Sequence, residues 1–514
     1  MNLQFINLRY RILYPLLILA FTCQMTQLSA ETKKFYIDAV KGNDQNNGSS
    51  PEKAFKSIAR LNSLPLIGEE QLLFKGGQQF YGSLKIKGIH STVKAPLLVS
   101  TFGSGQATII SGDSTAILAT DCIFLTINNL NVEGSGRLTG NKTNGIDLVE
   151  VKNGTIDHMK TSGYLYSGIK VTGGIDIRIT NVYACNNGFC GINVISSAKE
   201  YGSDGSAFKT VKHVYIGHSV AENNPGCPAI TDNHSGNGIL LGGVTNGLIE
   251  YCEAMNNGWD MPREGNGPVG IWAYMCDSIV IQNCYSHNNK TSPKGKDGGG
   301  FDFDGGMTNS VLQYNLSANN EGGGFGMFQY AGATEWSKNI VRYNISYNDG
   351  TKNGKCGIFM WCDPAAKPMN QLKAYNNTIV NNQGNGVNFE PGNYVNFEFE
   401  NNIFVLTVTS NRFIGGQFSG ALFDRNLYWT ELQNRPSTIP DSNPVYADPQ
   451  MKLPNDHWLI FKTIEEVNLI KYFQLSSKSP ALKMGKLMEN NGGKDYWSKP
   501  LPLVGNPNIG AFGR

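Results

Sequence analysis

Gly299-Gly300-Phe301-Asp302-Phe303-Asp304-Gly305-Gly306 reads as a short strand bounded by glycines. Alternation sends Phe301 and Phe303 to one face and Asp302 and Asp304 to the other. With the phenylalanines in a core, two carboxylates stand side by side on the outer face. The same strand type recurs along the chain, and that recurrence decides the fold.

A glycine followed by an apolar residue opens a strand at Gly145-Ile146, Gly168-Ile169, Gly191-Ile192, Gly238-Ile239, Gly270-Ile271, Gly300-Phe301, Gly324-Phe325, Gly357-Ile358 and Gly386-Val387. The steps are 23, 23, 47, 32, 30, 24, 33 and 29 residues, a coil of about 23 with insertions. The step of 47 is either two coils or one coil with a long loop. A second, out-of-phase series places Cys252, Cys284, Asn315, Asn344 and Asn377 at one position. Inward Asn side chains bonding backbone in the next coil explain its last three members, with the cysteines as apolar substitutes. Helical repeats would need apolar runs of roughly 10–15 residues at period 3.6, and the chain shows none. Propeller blades of roughly 40–50 residues do not fit the short steps. The expectation is an all-β fold, a right-handed parallel β-helix with three short strands per coil.

The flanks divide the chain. Arg9 and Arg11, the apolar run Ile12 to Phe21 and Leu28-Ser29-Ala30 predict a signal peptide over 1–30 and a secreted or periplasmic protein. Cys23 as a lipidated cysteine is the alternative, with a poorer fit in Ala20-Phe21-Thr22. Residues 31–119 hold a cap and the first coils, 120–405 the regular coils, and 406–514 an irregular section packed over the open C-terminal end. In the cap, Phe35-Tyr36-Ile37-Asp38 is a strand, and Ser49-Ser50-Pro51-Glu52 opens an amphipathic helix to about Leu61. No later run is long and apolar enough to span a membrane. A net charge of +2 argues against a nucleic-acid partner. Scattered cysteines without a CxxC pair argue against a disulfide scaffold or a zinc site. A monomer is expected.

Two stretches carry a resemblance. Phe35-Tyr36-Ile37-Asp38, Gly42-Asn43-Asp44 and Gly48-Ser49-Ser50-Pro51 resemble the N-terminal cap of secreted β-helix proteins of the pectate-lyase-like superfamily. Ser479-Pro480-Ala481-Leu482, Gly485 and Asn508-Ile509-Gly510-Ala511-Phe512 resemble their C-terminal sequence. The resemblance covers nearly the whole chain after 30 and implies the fold and a carbohydrate-active protein. The superfamily includes glycoside hydrolases, polysaccharide lyases and epimerases.

Stacking the strands gives two outward columns. One runs Trp272, Asp302, Gly326, Phe359, and the other Tyr274, Asp304, Phe328, Trp361, Glu390. At about 4.8 Å per coil these residues share one exposed patch. Flat rings suit sugar faces, and a soluble surface rarely carries so many large aromatics without a use. The turns 256–269 and 288–299, with Arg263, Lys294, Lys296 and Asp297, precede the strands of Trp272 and Asp302 and would wall the patch. Glu321 lies at the same edge.

Asp302 and Asp304, about 6.5–7 Å apart at Cα, can act as a glycosidase pair, one as general acid and the other activating water or attacking the anomeric carbon. Glu321 would assist, without a cofactor. The alternative is Ca²⁺-dependent β-elimination of a uronic-acid glycan. Lys294, Lys296 or Arg263 is then the base, and Asp297, Asp302 and Asp304 hold the cation. The chain lacks the Asp-Asp-Gly-x-Asp run of calcium-dependent pectate lyases and the Gly-Asp-Asp and Arg-Ile-Lys motifs of polygalacturonases. A third reading is a non-catalytic carbohydrate-binding or adhesin-like protein. The substrate in each case is a polysaccharide or oligosaccharide. The histidines, His234 among them, show no metal-ligand spacing.

Overall fold

The computed structural model describes residues 32–513 apart from 201, 203–204, 353–355, 382–383, 408–411, 431–438 and 455–458. The predicted signal peptide and Cys23 lie outside the described residues. From Lys33 onward the chain is a parallel β-helix, right-handed as parallel crossovers are. One sheet stacks twelve strands among the described residues, from Leu84–Lys87 to Ile414–Gly416. Two further stacks complete each coil, as in Asp277–Gln282 and Tyr285–His287 paired to Val311–Gln313 and Leu316–Ala318. The 47-residue step is one coil with long loops, since Cys190 pairs directly with Asn237.

The bends explain the asparagines. Left-handed residues recur in columns, such as Asn256, Asn288 and Asn319, and Tyr314, Tyr343 and Asn376. Asn is among the few residues that adopt this conformation readily. The residue after each turns inward and bonds the next coil. In the predicted ladder Asn315, Asn344 and Asn377 each accept the backbone N–H of the preceding rung, at 2.9–3.0 Å from rung to rung. It continues through Asn402 and Asn426 to Asp441. Cys252 and Cys284 occupy rungs, but Cys284 is more than an apolar substitute, because its Sγ accepts the Cys252 N–H at 3.5 Å. A second ladder, Asn187, Asn224, Asn257, Asn289, Asn320 and Asp349, runs along the neighbouring bend.

The core fills the coil interior. Phe301 and Phe303 are buried, and Phe301 stacks on Phe325 at 5.3 Å. Each such ring contributes roughly 1.5–3 kcal/mol of burial. This inward pair is what turns Asp302 and Asp304 outward.

Three expectations change. The N-terminal helix is only Ile58–Asn62, capped by Ser57, whose Oγ accepts the Arg60 N–H. Pro51–Lys53 is a separate 3₁₀ turn, because Phe55 between them is extended and exchanges backbone bonds with Tyr36 and Asp38. Parallel pairing also continues past 405, through Leu427–Thr430 to Val445–Tyr446. Finally, the C-terminal section packs along a flank. There the outward column Tyr285, Leu316, Ile345, Thr378, Ile403 and Leu427 is apolar except for Thr378, whose Oγ1 accepts the Ala511 N–H, and Leu459, Val467, Ile470, Phe473 and Ile509 cover it. No helix among the described residues is long and apolar enough to cross a membrane.

Candidate active site

The predicted outward columns form in register. Trp272, Asp302, Gly326, Phe359 and Asn388 are successive partners, and Phe328 pairs with Trp361. They do not make an exposed patch. They floor a cavity of about 570 Å³, within the range of small-molecule sites. Trp272, Asp302 and Phe359 are each under 5% exposed, and Tyr274, Asp304, Trp361 and Glu390 are half-buried. The loops expected to wall the patch do so, and with a third loop they enclose the floor rather than edge it on one side.

Three loops build the walls. The stretch 256–268 supplies Arg263, Asn266 and Gly267, and 288–298 supplies Lys296 and Asp297. The third, 223–236, supplies Asn233 and His234, and Tyr330 adds a ring from beyond the strand Phe325–Gln329. Arg137 holds the first wall by pairing with Asp260 at 2.7 Å and donating to the Gly226 carbonyl. Asp297 is fixed by the Gly267 N–H, which donates to its Oδ2 at 2.6 Å.

Two predicted residues fall elsewhere. Lys294 is exposed and pairs with Glu264 at 2.7 Å, off the cavity. Glu321 does not line it either. Its carboxylate accepts the Thr291 N–H and faces Lys352, so it holds the base of a wall. The other predicted residues, Asp302, Asp304, Trp272, Tyr274, Phe328, Phe359, Trp361, Glu390, Arg263, Lys296 and Asp297, share the cavity. Sequence reasoning missed Asn233, His234, Asn266 and Tyr330. Its one signal for the first two was the 47-residue step, which marks an insertion.

The carboxyls are electrostatically unequal. Burial, then the charges of Asp304 and Asp297, push Asp302 well above the usual carboxylate range. Its Oδ1 is buried without a hydrogen-bond partner among the described residues. Burial pushes Asp304 up to about 7, with the Gly305 N–H (2.7 Å) opposing the rise and the Asp297 charge adding to it. Asp297 is thus the charge that both others feel. Gly326 makes room between coils, since a Cβ there would lie 2.8 Å from Phe328 and 3.2 Å from Asp302 Oδ1. Among the described residues no group of three or more His, Cys, Asp or Glu is arranged to hold a metal ion.

The aromatic side chains are held by one another. Phe328 meets Phe359 edge-on at 5.6 Å and Trp361 at 6.4 Å. Trp272 lies 5.6 Å from Tyr274, and its Nε1–H donates to Asn237 Oδ1 at 3.1 Å.

Fold and cavity together define a parallel β-helix protein with an acidic, aromatic-lined pocket on one sheet. No protein-family model matches the chain. The chain is 23% identical, over an alignment 586 positions long, to a lacto-N-biosidase of Bifidobacterium longum subsp. longum, with 93% of this chain covered. It spans 34% of that curated relative's length. Among solved structures it is similar to a GH136 lacto-N-biosidase from Eubacterium ramulus. The TM-score is 0.54 at 16% identity, over 81% of this chain and 68% of the other. The native form of the same protein gives 0.51 at 15% identity, over 80% and 68%. This likeness is one of fold.

Proposed function

We propose that the protein is a glycoside hydrolase that uses the carboxyl cluster Asp297, Asp302 and Asp304 on a saccharide held against Trp272, Tyr274, Phe328, Phe359 and Trp361. The observation that carries the reading is the gathering of three carboxyls in one walled cavity, two of which, Asp302 and Asp304, burial pushes above the usual carboxylate range. Two-carboxylate hydrolysis needs an acid that still holds its proton near neutrality and a partner that does not. Asp304 suits the acid. Asp297, whose charge raises both neighbours, suits the ionised partner that attacks the anomeric carbon or activates water. Asp302, the most buried, keeps its proton and offers a hydrogen bond from the floor. The sequence pairing of Asp302 with Asp304 therefore becomes a pairing of Asp297 with Asp304.

Similarity to a lacto-N-biosidase, a glycoside hydrolase, supports the same class. An exported protein acting on carbohydrate outside the cytoplasm fits the N-terminal sequence. The test is release of reducing ends from an oligosaccharide and polysaccharide panel that includes a substrate of lacto-N-biosidases. Asp297→Asn and Asp304→Asn should each lose at least about 100-fold in kcat. Product carrying the ultraviolet absorbance of an unsaturated uronide, abolished by EDTA, would reject hydrolysis in favour of elimination with Lys296 or Arg263 as base.

A further inference from the structure

His234 sits at the rim wall with one hydrogen bond whose direction can be settled from its surroundings. Asn237 lies behind it. The Asn237 Oδ1 receives two obligate donors, the Val269 N–H at 3.3 Å and the Trp272 Nε1–H at 3.1 Å. Its Nδ2 faces the Phe189 carbonyl at 3.1 Å, an obligate acceptor. The amide therefore has one orientation, with its NH₂ toward His234. That NH₂ lies 3.0 Å from His234 Nδ1 and can only donate, so Nδ1 is the acceptor and the ring proton is on Nε2.

The ring is also fixed in position. Phe189 lies 5.4 Å from it and Trp272 meets it edge-on at 4.9 Å. Nε2 has no partner among the described residues, and it is not among the buried unpartnered atoms. Its open side is the cavity that His234 lines.

We propose that His234 is a specificity-determining residue, a donor whose Nε2–H bonds an acceptor oxygen of the sugar lying on Trp272. Burial, and then the Arg263 charge, push its imidazole down to about 4, so it stays neutral over the range in which the carboxyl cluster works. This inference rests on the saccharide reading of the cavity.

The test uses His234→Gln, whose amide NH₂ reaches the Nε2 position, and His234→Asn, which reaches only to Nδ1. On a saccharide the wild type cleaves, His234→Asn should raise KM roughly tenfold with kcat within about threefold, as for one lost neutral hydrogen bond. His234→Gln should restore KM to within about threefold of wild type. Thermal unfolding of both variants checks that the fold is kept. An unchanged KM in His234→Asn, or a Gln variant as impaired as the Asn one, overturns the proposal. If the wild type binds a saccharide by calorimetry but cleaves none, the hydrolase reading fails. The same two variants then decide the donor by Kd. Neither binding nor cleavage across the panel overturns both.

Discussion

The Thr291 backbone N–H donates to Glu321 Oε2 at 2.9 Å, and Lys352 faces the same carboxylate at 3.7 Å. Lys352 also donates to the Ser292 carbonyl. A residue expected among the catalytic groups is thus the foot of the loop that carries Lys296 and Asp297. Glu321→Ala should lower kcat/KM by about tenfold through misplacement of that loop. Glu321→Gln, which keeps an acceptor oxygen, should retain most of the activity. A loss in the Gln variant as large as in Asp297→Asn would mean Glu321 takes part in the chemistry itself.

Asp304 makes stability depend on pH in a direction opposite to that of most carboxylates. Its carboxyl titrates at about 7 when folded against an ordinary 3.8, so between those values the folded chain holds the extra proton. Stability from this group is fully present below the unfolded value and falls as pH rises toward the folded one. Asp302, also raised by burial, adds to the fall. Asp304→Asn should therefore gain on wild type in unfolding temperature as pH goes from about 5 to about 8. A gap that does not change with pH would show that Asp304 is an ordinary solvated carboxylate.

Because Asp297 raises Asp304, removing its charge should shift Asp304 downward. In Asp297→Asn the Asp304 carboxyl, followed by infrared or NMR titration, should ionise at lower pH than in the wild type. No shift would separate the two groups and leave Asp304 without its proposed partner.

Gly326→Ala tests the packing between floor and carboxylate. The new methyl would press on Phe328 and Asp302 Oδ1 from the neighbouring coil. Activity should fall about tenfold while unfolding shifts by no more than about 1–3 kcal/mol, the usual range for overpacking. Wild-type activity in this variant would show that the floor yields freely.

Asn344 tests the ladder. Its side chain receives the Asn315 N–H and gives a bond to the Leu312 carbonyl. Asn344→Ala leaves both groups buried and unmet, and should cost about 2–4 kcal/mol in denaturant unfolding. A cost near zero would mean that water replaces the rung.

Much of this architecture could be read in the sequence because it is local and periodic. Glycine before each strand, paired asparagines at each bend and alternation within Gly299–Phe303 all act over a few residues. They put Trp272 beside Asp302 correctly. Features that depend on how far a loop reaches could not be read this way. The length and position of 256–269 and 288–299 predict walls, but not how far they close over the floor, so the sequence suggests an exposed patch where the structure has a pocket. His234 lies in an insertion without periodicity, and its partner Asn237 is recognisable only in three dimensions. Glu321 was assigned by its position at an edge, yet one hydrogen bond turns it from the cavity to a loop. The sequence suggests the open end for the C-terminal section, because the largely apolar column from Tyr285 to Leu427 becomes visible only when the coils are aligned.

The stacking of coils also sets a scale for what this sheet can recognise. Side chains on the floor can be offset along the axis only in whole steps of about 4.8 Å, because each rung of asparagine locks one coil to the next. Moving Trp272 relative to Asp302 by a fraction of a step is not open to substitution, only to a change of coil. Fine fitting to one sugar over another must then come from the walls, which lengthen or shorten without disturbing the register beneath. The floor acts as a fixed ruler, and the loops choose which marks on it are used.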